Sequence, residues 1–258
     1  MVDNVKLIRQ SDAVQLINQY HYSKVLPRIN KYFIGGFYQG NLVAVCTLGY
    51  GVRPKHTIKK IFPSLNVNDY FEIGKLCVAD EMPKNTESHF IAQCIHLIKE
   101  NFPEKKILFS WADGIVGKPG YVYQCSNFFY GGFIWTEMYL DRNGIRIHAR
   151  TFQGLSDGER VGKFKSRSYE VAKKQGLTKY FGKQFRYVYP LCDKREWKKL
   201  LKESAYEWLR CNYPKDIDCE WKVQTDKNKR EECPKPDFKM TKYTKNEEKN
   251  ELLSILQF

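Results

Sequence analysis

Long hydrophobic runs are missing from this sequence of 258 residues. No window approaches the roughly 20 consecutive apolar residues that an α-helix needs to cross a bilayer. The N-terminal region also lacks the basic start and apolar stretch of a secretory signal. We therefore expect a soluble protein that stays in the cytoplasm and has no membrane partner.

Paired metal ligands are missing as well. The eight cysteines include no Cys-x-x-Cys pair, and they show no zinc-site spacing with the five histidines. Cys46 and Cys77 lie inside apolar runs, where a free thiol packs as a small hydrophobic side chain. The sequence thus predicts no metal site and a reducing compartment.

Acidic residues are scarce, and the formal charge at pH 7 is +14. Between Glu159 and Lys202 the chain has 14 Lys and Arg against 4 Asp and Glu. A surface this basic attracts polyphosphates through counterion release, although a charge run can also be a solvated helix face. Aromatic rings between the cations favour a nucleic acid, because rings stack on unpaired bases. These aromatic residues are Phe164, Tyr169, Tyr180, Phe181, Phe185, Tyr187 and Tyr189.

Hydrophobic residues make up 42% of the chain and aromatic residues 15%, which is enough for a folded core. Alternating and helical spacings predict the order β, α, β, β, β, α, β, α, β, β up to residue 152. The predicted strands are 5–8, 31–38, 42–49, 70–78, 105–112, 133–140 and 145–151, and the predicted helices are 11–20, 86–101 and 122–130. Beyond them we predict a strand at 184–191 and a helix at 193–209.

This order predicts a mixed α/β (α+β) fold with three segments. Residues 1–152 are expected to form the catalytic domain. Residues 153–221 are expected to form a basic α/β extension that packs on it and contacts nucleic acid. Residues 222–258 are mostly polar and are predicted to form a mobile or draped tail.

The element order resembles the GNAT acyltransferase fold. The strand Phe71–Val78 has the polar start and apolar finish of the GNAT strand that splays from its neighbour. The segment Tyr121–Phe133 resembles the short GNAT helix that ends in Gly-Phe. The resemblance implies a V-shaped central sheet flanked by helices, with acyl-CoA in the V against Leu76 and Val78 and its pyrophosphate at the start of the helix near residue 86.

Glycine is absent where GNAT enzymes have a glycine-rich pyrophosphate loop. Here the loop reads Pro83-Lys84-Asn85-Thr86-Glu87-Ser88-His89. Polar side chains and the helix dipole provide the remaining ways to bind an anion there. The cofactor-contacting side chains expected in this loop are Lys84, Asn85, Thr86 and Ser88. The missing glycine makes ordinary acetyl-CoA chemistry a poor fit, so an aminoacyl donor stands beside acyl-CoA as a candidate.

Three sequence blocks together resemble the Mom family of phage proteins. They are His21-Tyr22-Ser23-Lys24, the helix start Asn85-Thr86-Glu87-Ser88, and the run from Trp111 to Gly132. The resemblance implies a DNA-modifying transferase that converts adenine to an N6-carbamoylmethyl form and protects phage DNA from host restriction. It also implies double-stranded DNA as a partner and the host cytoplasm as the location.

Five residues form the candidate catalytic set. Asp113 follows a buried strand at the edge where α/β sites form, although it is also a common turn residue. Tyr123 and Tyr130 are seven residues apart and share a face of the predicted helix, where a GNAT enzyme often has its acidic tyrosine. Such faces usually belong to the core. Glu72 is a candidate base or an edge ion pair, and Ser110 completes the set.

The candidate binding set follows the same blocks. His21, Tyr22 and Ser23 are expected to form a wall of the pocket, or simply the end of a helix. Gln124 and Asn127 are three residues apart and form either an amide pair for an adenine edge or a helix cap. The residues expected to contact DNA are His21, Tyr22, Ser23, Lys24, Gln124, Ser126, Asn127, Lys163, Lys165 and Arg167.

The product chemistry leaves alternatives open. A carbamoylmethyl product joins N6 to a CH₂ carbon, so simple acyl transfer does not form it, and an aminoacyl donor or a later rearrangement is required. The second hypothesis is an acetyl- or aminoacyl-transferase that acts on another amine, such as a hypermodified pyrimidine or an RNA base. The third hypothesis is a non-catalytic nucleic-acid-binding module.

Overall fold

The computed structural model describes residues 1–21, 26, 29–147, 160–161, 164–165 and 168–239, with the backbone alone described at 160–161 and 164–165. Ten strands form one mixed sheet, and β8 and β9 form a separate pair. The strands are β1 Asn4–Leu7, β2 Asn30–Tyr38, β3 Asn41–Gly49, β4 Tyr70–Val78, β5 Ile107–Ala112, β6 Phe129–Leu140, β7 Arg146–Ile147, β8 Arg160–Val161, β9 Phe164–Lys165, β10 Thr178–Pro190, β11 Trp221–Asp226 and β12 Lys229–Cys233. The helices are α1 Gln10–Tyr20, α2 Pro54–Ile61, α3 Thr86–Asn101, α4 Tyr121–Cys125, α5 Tyr169–Lys174 and α6 Lys194–Glu203.

The strand order is β1-β2-β3-β4-β5-β10-β11-β12, with β6 along the other side of β10 and β7 beyond β6. Neighbours pair antiparallel except β4 and β5, which pair parallel through the α3 crossover. The mixed α/β architecture predicted from the sequence is confirmed.

Alternation along the strands puts apolar residues on both faces of the sheet. On one face, α3 packs through Phe90 and Ile95 on residues such as Ile34 and Phe71. On the other face, α1 packs on β2, β3 and β4, while α2 and α6 pack together on β4, β5 and β10. Each large apolar side chain buried in this way contributes about 1.5–3 kcal/mol. The region where β4 meets β5 is therefore held from both faces.

The sequence around residue 127 folds differently from the prediction. The predicted helix over 122–130 ends at Cys125, and Asn127 adopts a left-handed conformation with φ of 61°. The chain then enters β6 directly, so Tyr130 lies on a strand and does not share a helix face with Tyr123. That part of the prediction was wrong, because an asparagine in this conformation reverses the chain as glycine does.

The partner of β6 also differs from the prediction. The Asn143-Gly144 turn gives β7 only two residues, 146–147, and positions 148–151 lie outside the described residues. The long partner of β6 is β10, which also pairs with β5 and so lies between them. The sheet therefore continues across the boundary predicted at residue 152.

Two further segments depart from the sequence-based expectations. Helix α2 was not predicted, since its eight residues follow a short apolar spacing that starts at a proline. The segment predicted to be a mobile tail includes an ordered hairpin of β11 and β12, which extends the sheet to Cys233. No helix in the described part of the chain has the length and apolarity to span a membrane.

Candidate functional site

A β-bulge interrupts β4 at Gly74. Thr47 of β3 pairs with Lys75 and the next residue, Leu48, pairs with Ile73, so Gly74 has no opposite residue. A glycine inside a strand often marks such a bulge. A side chain at this position would clash with the Oδ1 atom of Asn30. The bulge thus occurs where only glycine fits.

The bulge changes which residues of β4 share a face of the sheet. Before it, Ile73 packs in the cluster under α3; after it, Leu76 and Val78 pack there, while Cys77 packs under α1. Side chains along a strand alternate between the two faces of the sheet, and the bulge shifts this alternation by one residue. The side chains of Glu72 and Lys75 therefore lie on the same face of the sheet. Without the bulge, these two ionisable side chains would point to opposite faces.

Strands β4 and β5 separate beside the bulge. Their parallel pairing ends at Ile73 and Ser110, although the strands continue to Val78 and Ala112. The gap opens into a cleft of about 650 Å³, which lies within the range of small-molecule sites, roughly 300–1,000 Å³. The polar and ionisable residues that line it are Tyr20, His21, Glu72, Lys75, Asp80, Asn85, Glu87, Ser88, Asp113, Lys118, Tyr121, Tyr123 and Gln184.

Glu72 lies at the inner end of the cleft. Burial raises the pKa of its carboxyl to about 7. The turn after β3 lies directly against this carboxyl. A side chain at Gly51 would clash with Glu72 Oε2. A carboxyl with a pKa near neutrality accepts a proton readily at physiological pH. The pKa of Glu72 thus lies close to physiological pH.

Lys75 is a buried cation in the same part of the cleft. Its side chain contacts His21, with 3.4 Å between Nζ and Nδ1. Burial lowers the pKa of Lys75 to about 8, although the charge of Asp113 acts in the opposite direction. Asp113 in turn accepts a hydrogen bond of 2.9 Å from Gln184 of β10. Residues from α1, β4, β5 and β10 thus meet around one cavity.

A buried phenol belongs to the lining of the cleft. Tyr123 lines the cleft and is 7% exposed. Burial raises the pKa of its phenol, while the Ser110 hydroxyl acts to lower it. Ser110 itself is fully buried and does not line the cleft, so this predicted catalytic residue lies behind Tyr123 and not in the cavity.

The outer end of the cleft lies at the start of α3. Asn85 precedes this helix with φ of 69°, and its side chain makes no capping hydrogen bond. Thr86 is buried and donates a 2.7 Å hydrogen bond to the carbonyl of Pro83, so it does not face the cleft. Ser88 lines this end, whereas Lys84 does not.

This outer end does not fit a CoA pyrophosphate. Two carboxylates, Asp80 and Glu87, line it against one exposed cation, Lys118. Glu87 lies in the first turn of α3, where its charge occupies the positive end of the helix dipole. A second negative group is disfavoured there, so the geometry does not support the CoA binding that the GNAT resemblance implies.

Several predicted site residues lie away from the cleft. Tyr130 packs against Phe185 and Tyr187, with ring centroids 6.2 and 5.8 Å apart. Gln124 donates hydrogen bonds to the Tyr187 hydroxyl and the Pro214 carbonyl, which fix α4 to its neighbours. The predicted amide pair does not form at the cleft. Ser126 and Asn127 instead line a separate pocket of about 380 Å³ beside α3.

Some predictions concern residues that cannot be placed. Tyr22, Ser23, Lys24, Lys163 and Arg167 lie outside the described residues, and only the backbone of Lys165 is described. Among the aromatic residues expected between the cations, Phe181, Phe185 and Tyr187 are buried in the core. These three rings are therefore not available to stack on bases.

Sequence reasoning missed Lys75, Gln184 and Trp111, which all line the cleft. The Glu-Ile-Gly-Lys sequence within an apolar strand was the available signal for Lys75, because an internal glycine suggests a bulge. Gln184 gave no local signal, since it reaches Asp113 only through the insertion of β10. Within the described residues, no cluster of three or more His, Cys, Asp and Glu residues is placed to hold a metal ion.

The mixed sheet, its V-shaped opening between β4 and β5, and the helix that follows β4 together define a GNAT-type acyltransferase fold. Two solved structures are similar in fold. The GNAT family N-acetyltransferase YhbS from Escherichia coli, in complex with CoA, is 8% identical with a TM-score of 0.39 and aligns over 75% of this chain and 83% of its own. An N-acetyltransferase from Staphylococcus aureus Mu50 is 11% identical with a TM-score of 0.38 and aligns over 75% and 99%.

The family is more specific than the fold. The chain belongs to the Mom protein family, whose model matches residues 3–215. Among its relatives, methylcarbamoylase mom of Escherichia phage Mu is 28% identical over 176 residues, which cover 68% of this chain and 70% of that protein. The matched range includes every residue that lines the cleft.

Proposed function

We propose that this chain is a transferase that adds a carbamoylmethyl group to the exocyclic N6 amine of adenine in DNA. The observation that carries the proposal is the family match over residues 3–215, together with the relative named methylcarbamoylase mom. The cleft supports a catalytic role over a purely binding role, because shifted pKa values of a carboxyl and an amine cluster at functional sites.

The size of the cleft constrains how DNA enters. A volume of about 650 Å³ accommodates a purine and a small donor but not a duplex, which is roughly 20 Å across. An adenine must therefore leave the base stack to reach Glu72, at a cost of a few kcal/mol. Trp111 and Tyr123 line the cleft and provide aromatic surfaces beside the incoming base.

The proposed reaction assigns a proton acceptor to the inner end of the cleft. Adenine N6 attacks an electrophilic carbon of the donor, and the leaving group departs with the electron pair of its bond to that carbon. Glu72 accepts the proton that N6 loses, which its pKa of about 7 favours. Lys75 stabilises negative charge that develops on the donor or leaving group.

Asp113 and Tyr123 complete the proposed site. Asp113 is held by Gln184 and orients the amine or relays its proton. Tyr123 keeps its proton at neutral pH, because burial raises the pKa of its phenol. A protonated phenol is able to donate a hydrogen bond to the leaving group.

The test is a nucleoside mass spectrum of DNA from cells that express the protein. We expect a deoxyadenosine that carries the added mass of a carbamoylmethyl group, and we expect Asp113→Asn to remove it. Unaltered adenine beside an altered pyrimidine would contradict the proposal and favour the transferase that acts on another amine.

The binding-module hypothesis requires its own control. Asp113→Asn is expected to bind duplex DNA with the same affinity and salt dependence as the unaltered protein. A binding module would lose no modification in this variant, since it would have no modification to lose.

A further inference from the structure

Helices α2 and α6 lie on the same face of the sheet, and the end of α2 contacts α6. Phe62, at the end of α2, contacts Trp197 of α6 with ring centroids 5.7 Å apart. Ser204 Oγ donates a 2.9 Å hydrogen bond to the carbonyl of Ile61. The buried sides of both helices belong to one apolar cluster. The two outer sides therefore form one continuous surface, although α2 and α6 are far apart in sequence.

This surface, here called the α2–α6 surface, consists of exposed cations. Arg53 precedes α2, and both helices present lysine or arginine on most of their outward positions. The cations are Arg53, Lys55, Lys59, Lys60, Lys194, Arg195, Lys198, Lys199 and Lys202. None of them makes an ion pair with another residue in the part of the chain that the structure describes.

The acidic residues of these helices are engaged elsewhere. Helix α2 contains none. At α6, Asp193 caps the helix by accepting a hydrogen bond from the Glu196 N–H, and Glu196 pairs with Lys106 at 2.6 Å. Glu203 accepts hydrogen bonds from the backbone N–H and hydroxyl of Ser64. With Glu196 paired to Lys106, the nine cations outnumber the remaining carboxylates, Asp193 and Glu203, so the α2–α6 surface carries a net positive charge.

The dimensions of the surface suit an extended polyanion. Helix α6 has 10 residues, which corresponds to a length of about 15 Å. Helix α2 has eight residues, which corresponds to about 12 Å. A patch of this size spans the phosphates on both sides of a DNA groove, since the major groove is about 12 Å wide. A single bound phosphate would not need nine cations over two helices.

The α2–α6 surface also reaches the cleft. Trp111 packs against the apolar cluster beneath the two helices and lines the cleft as well. The Tyr70 hydroxyl, two residues before Glu72, donates a 2.5 Å hydrogen bond to the carbonyl of Tyr50 just before α2. Gly51, between Tyr50 and the start of α2, abuts the Glu72 carboxyl. The basic surface thus adjoins the inner end of the cleft.

We propose that the α2–α6 surface binds the phosphates of double-stranded DNA and presents the flanking duplex to the Glu72 end of the cleft. The inference rests on the proposed function and adds to it the surface that holds the DNA. It combines one helix from the part of the chain expected to be catalytic with one from the basic extension. Neither helix alone carries the full patch.

The experiment measures the affinity of a fluorescent 25-base-pair duplex at several salt concentrations. One variant carries Lys198→Gln, Lys199→Gln and Lys202→Gln, and a second carries Arg53→Gln, Lys55→Gln and Lys60→Gln. A matched control removes three exposed lysines elsewhere, with Lys6→Gln, Lys31→Gln and Lys227→Gln. All nine substitutions replace cations on the surface of the protein, and unchanged unfolding temperatures verify the fold.

Both surface variants are expected to bind the duplex about 10-fold or more weakly. The slope of the logarithm of the binding constant against the logarithm of the salt concentration should become less steep by up to roughly 0.9 for each phosphate that is no longer neutralised. The control variant is expected to bind as the unaltered protein does. Surface variants that bind normally, or a control that weakens binding equally, would overturn the proposal. The proposal would also be overturned if the surface variants lost binding to anionic vesicles but bound the duplex as the unaltered protein does.

The affinity result is independent of the chemistry. If the unaltered protein leaves adenine unmodified, the proposed function fails, yet the duplex titration still decides whether the α2–α6 surface binds DNA. If adenine is modified and the surface variants bind normally, only the surface assignment fails.

Discussion

The two ends of the cleft differ in how far their ionisable groups are buried. At the inner end, Glu72 is partly buried and Lys75 is buried, and burial moves the pKa of both groups toward neutrality. At the outer end, Asn85 and Glu87 are exposed, and no glycine lies in the loop between Pro83 and His89. The inner end thus holds two ionisable groups with pKa values near neutrality, and the outer end has no glycine-rich loop for a pyrophosphate.

The difference shows where this chain departs from the GNAT enzymes that its fold resembles. The bulge and the splay between β4 and β5 follow from strand geometry, and they hold an ionisable pair at the inner end. The outer end depends on a loop, where a few substitutions change the ligand without disturbing the sheet. The sheet framework therefore holds a pair of ionisable groups with shifted pKa values, whereas the loop beside it places carboxylates where a CoA pyrophosphate would lie in a GNAT fold.

The largest expected effect is at Glu72. Glu72→Gln keeps the shape of the side chain and removes the base, so adenine modification should slow about 10²–10⁴-fold. The rate in the unaltered protein should rise with pH through about 7, as the carboxyl loses its proton. The rate of modified adenine accumulation after induction, and the pH profile in extracts, are the measurements. A variant with an unchanged rate would remove Glu72 from the mechanism.

Glu72 also links pH to stability. Its pKa is about 7 in the folded protein against an ordinary 4.5, so the folded state retains a proton between these values that the unfolded chain releases. Stability should therefore fall as pH rises through this window. Glu72→Gln should lack this slope, which a series of denaturant unfolding curves would show.

Lys75→Met is expected to have the next largest effect. Removing one stabilising charge from a buried site slows a reaction about 10²-fold. The stability of the folded protein should increase in this variant. Burial lowers the pKa of Lys75 to about 8, so at every pH below 8 the folded state of the unaltered protein carries the cost of a buried charge. The variant should gain roughly 1–3 kcal/mol at pH 7.

For the unaltered protein, stability should rise as pH increases from about 8 to 10.5, since the folded state releases the Lys75 proton first. Lys75→Met should lose this rise. A variant that is both slower and less stable at pH 7 would indicate that Lys75 supports the fold and not the reaction.

A smaller effect should follow from Gly51→Ala, which tests whether the position of Glu72 matters. Gly51 has φ of 73°, and an added methyl would meet the Glu72 carboxyl. Gly40→Ala is the matched control, because Gly40 has φ of 80° and nothing within 4 Å of the added carbon. Both variants should lose about 1 kcal/mol of stability from backbone strain.

Only Gly51→Ala should also slow adenine modification, by about 10-fold, as the displaced carboxyl loses its alignment with the amine. Equal activity in the two variants at equal stability would show that the turn before α2 does not position Glu72.

Sequence patterns predicted the framework of this molecule better than its long-range pairings. The strand 70–78 and the helix 86–101 were predicted with the observed bounds, because local alternation and helical spacing determine them. The position of β10 between β5 and β6 was not predicted, since the choice of a strand partner depends on contacts that local patterns do not encode. Gln184 reaches Asp113 for this reason alone.

The candidate site shows the same division. Glu72 and Asp113 stood out by residue type at strand ends, and the structure places both in the cleft. Lys75 was missed because strict alternation assigns it to the face opposite Glu72, and only the bulge at Gly74 reverses this. Tyr130 was included because a helix was extended past Asn127, whose left-handed backbone ends it.

The smallest expected effect concerns the outer end and sharpens the contrast between the two ends. Asp80→Asn with Glu87→Gln removes both carboxylates from the start of α3, where a pyrophosphate would otherwise meet their repulsion. A charge at a helix N-terminus contributes about 0.3–1 kcal/mol, so CoA affinity should rise several-fold by isothermal titration. Glu100→Gln, at the other end of α3, serves as the control.

Adenine modification should not improve, because a donor suited to the native carboxylates gains nothing from their loss. Tight CoA binding by the unaltered protein would show instead that the loop holds a pyrophosphate without glycine, and the donor would then return to the acyl-CoA class.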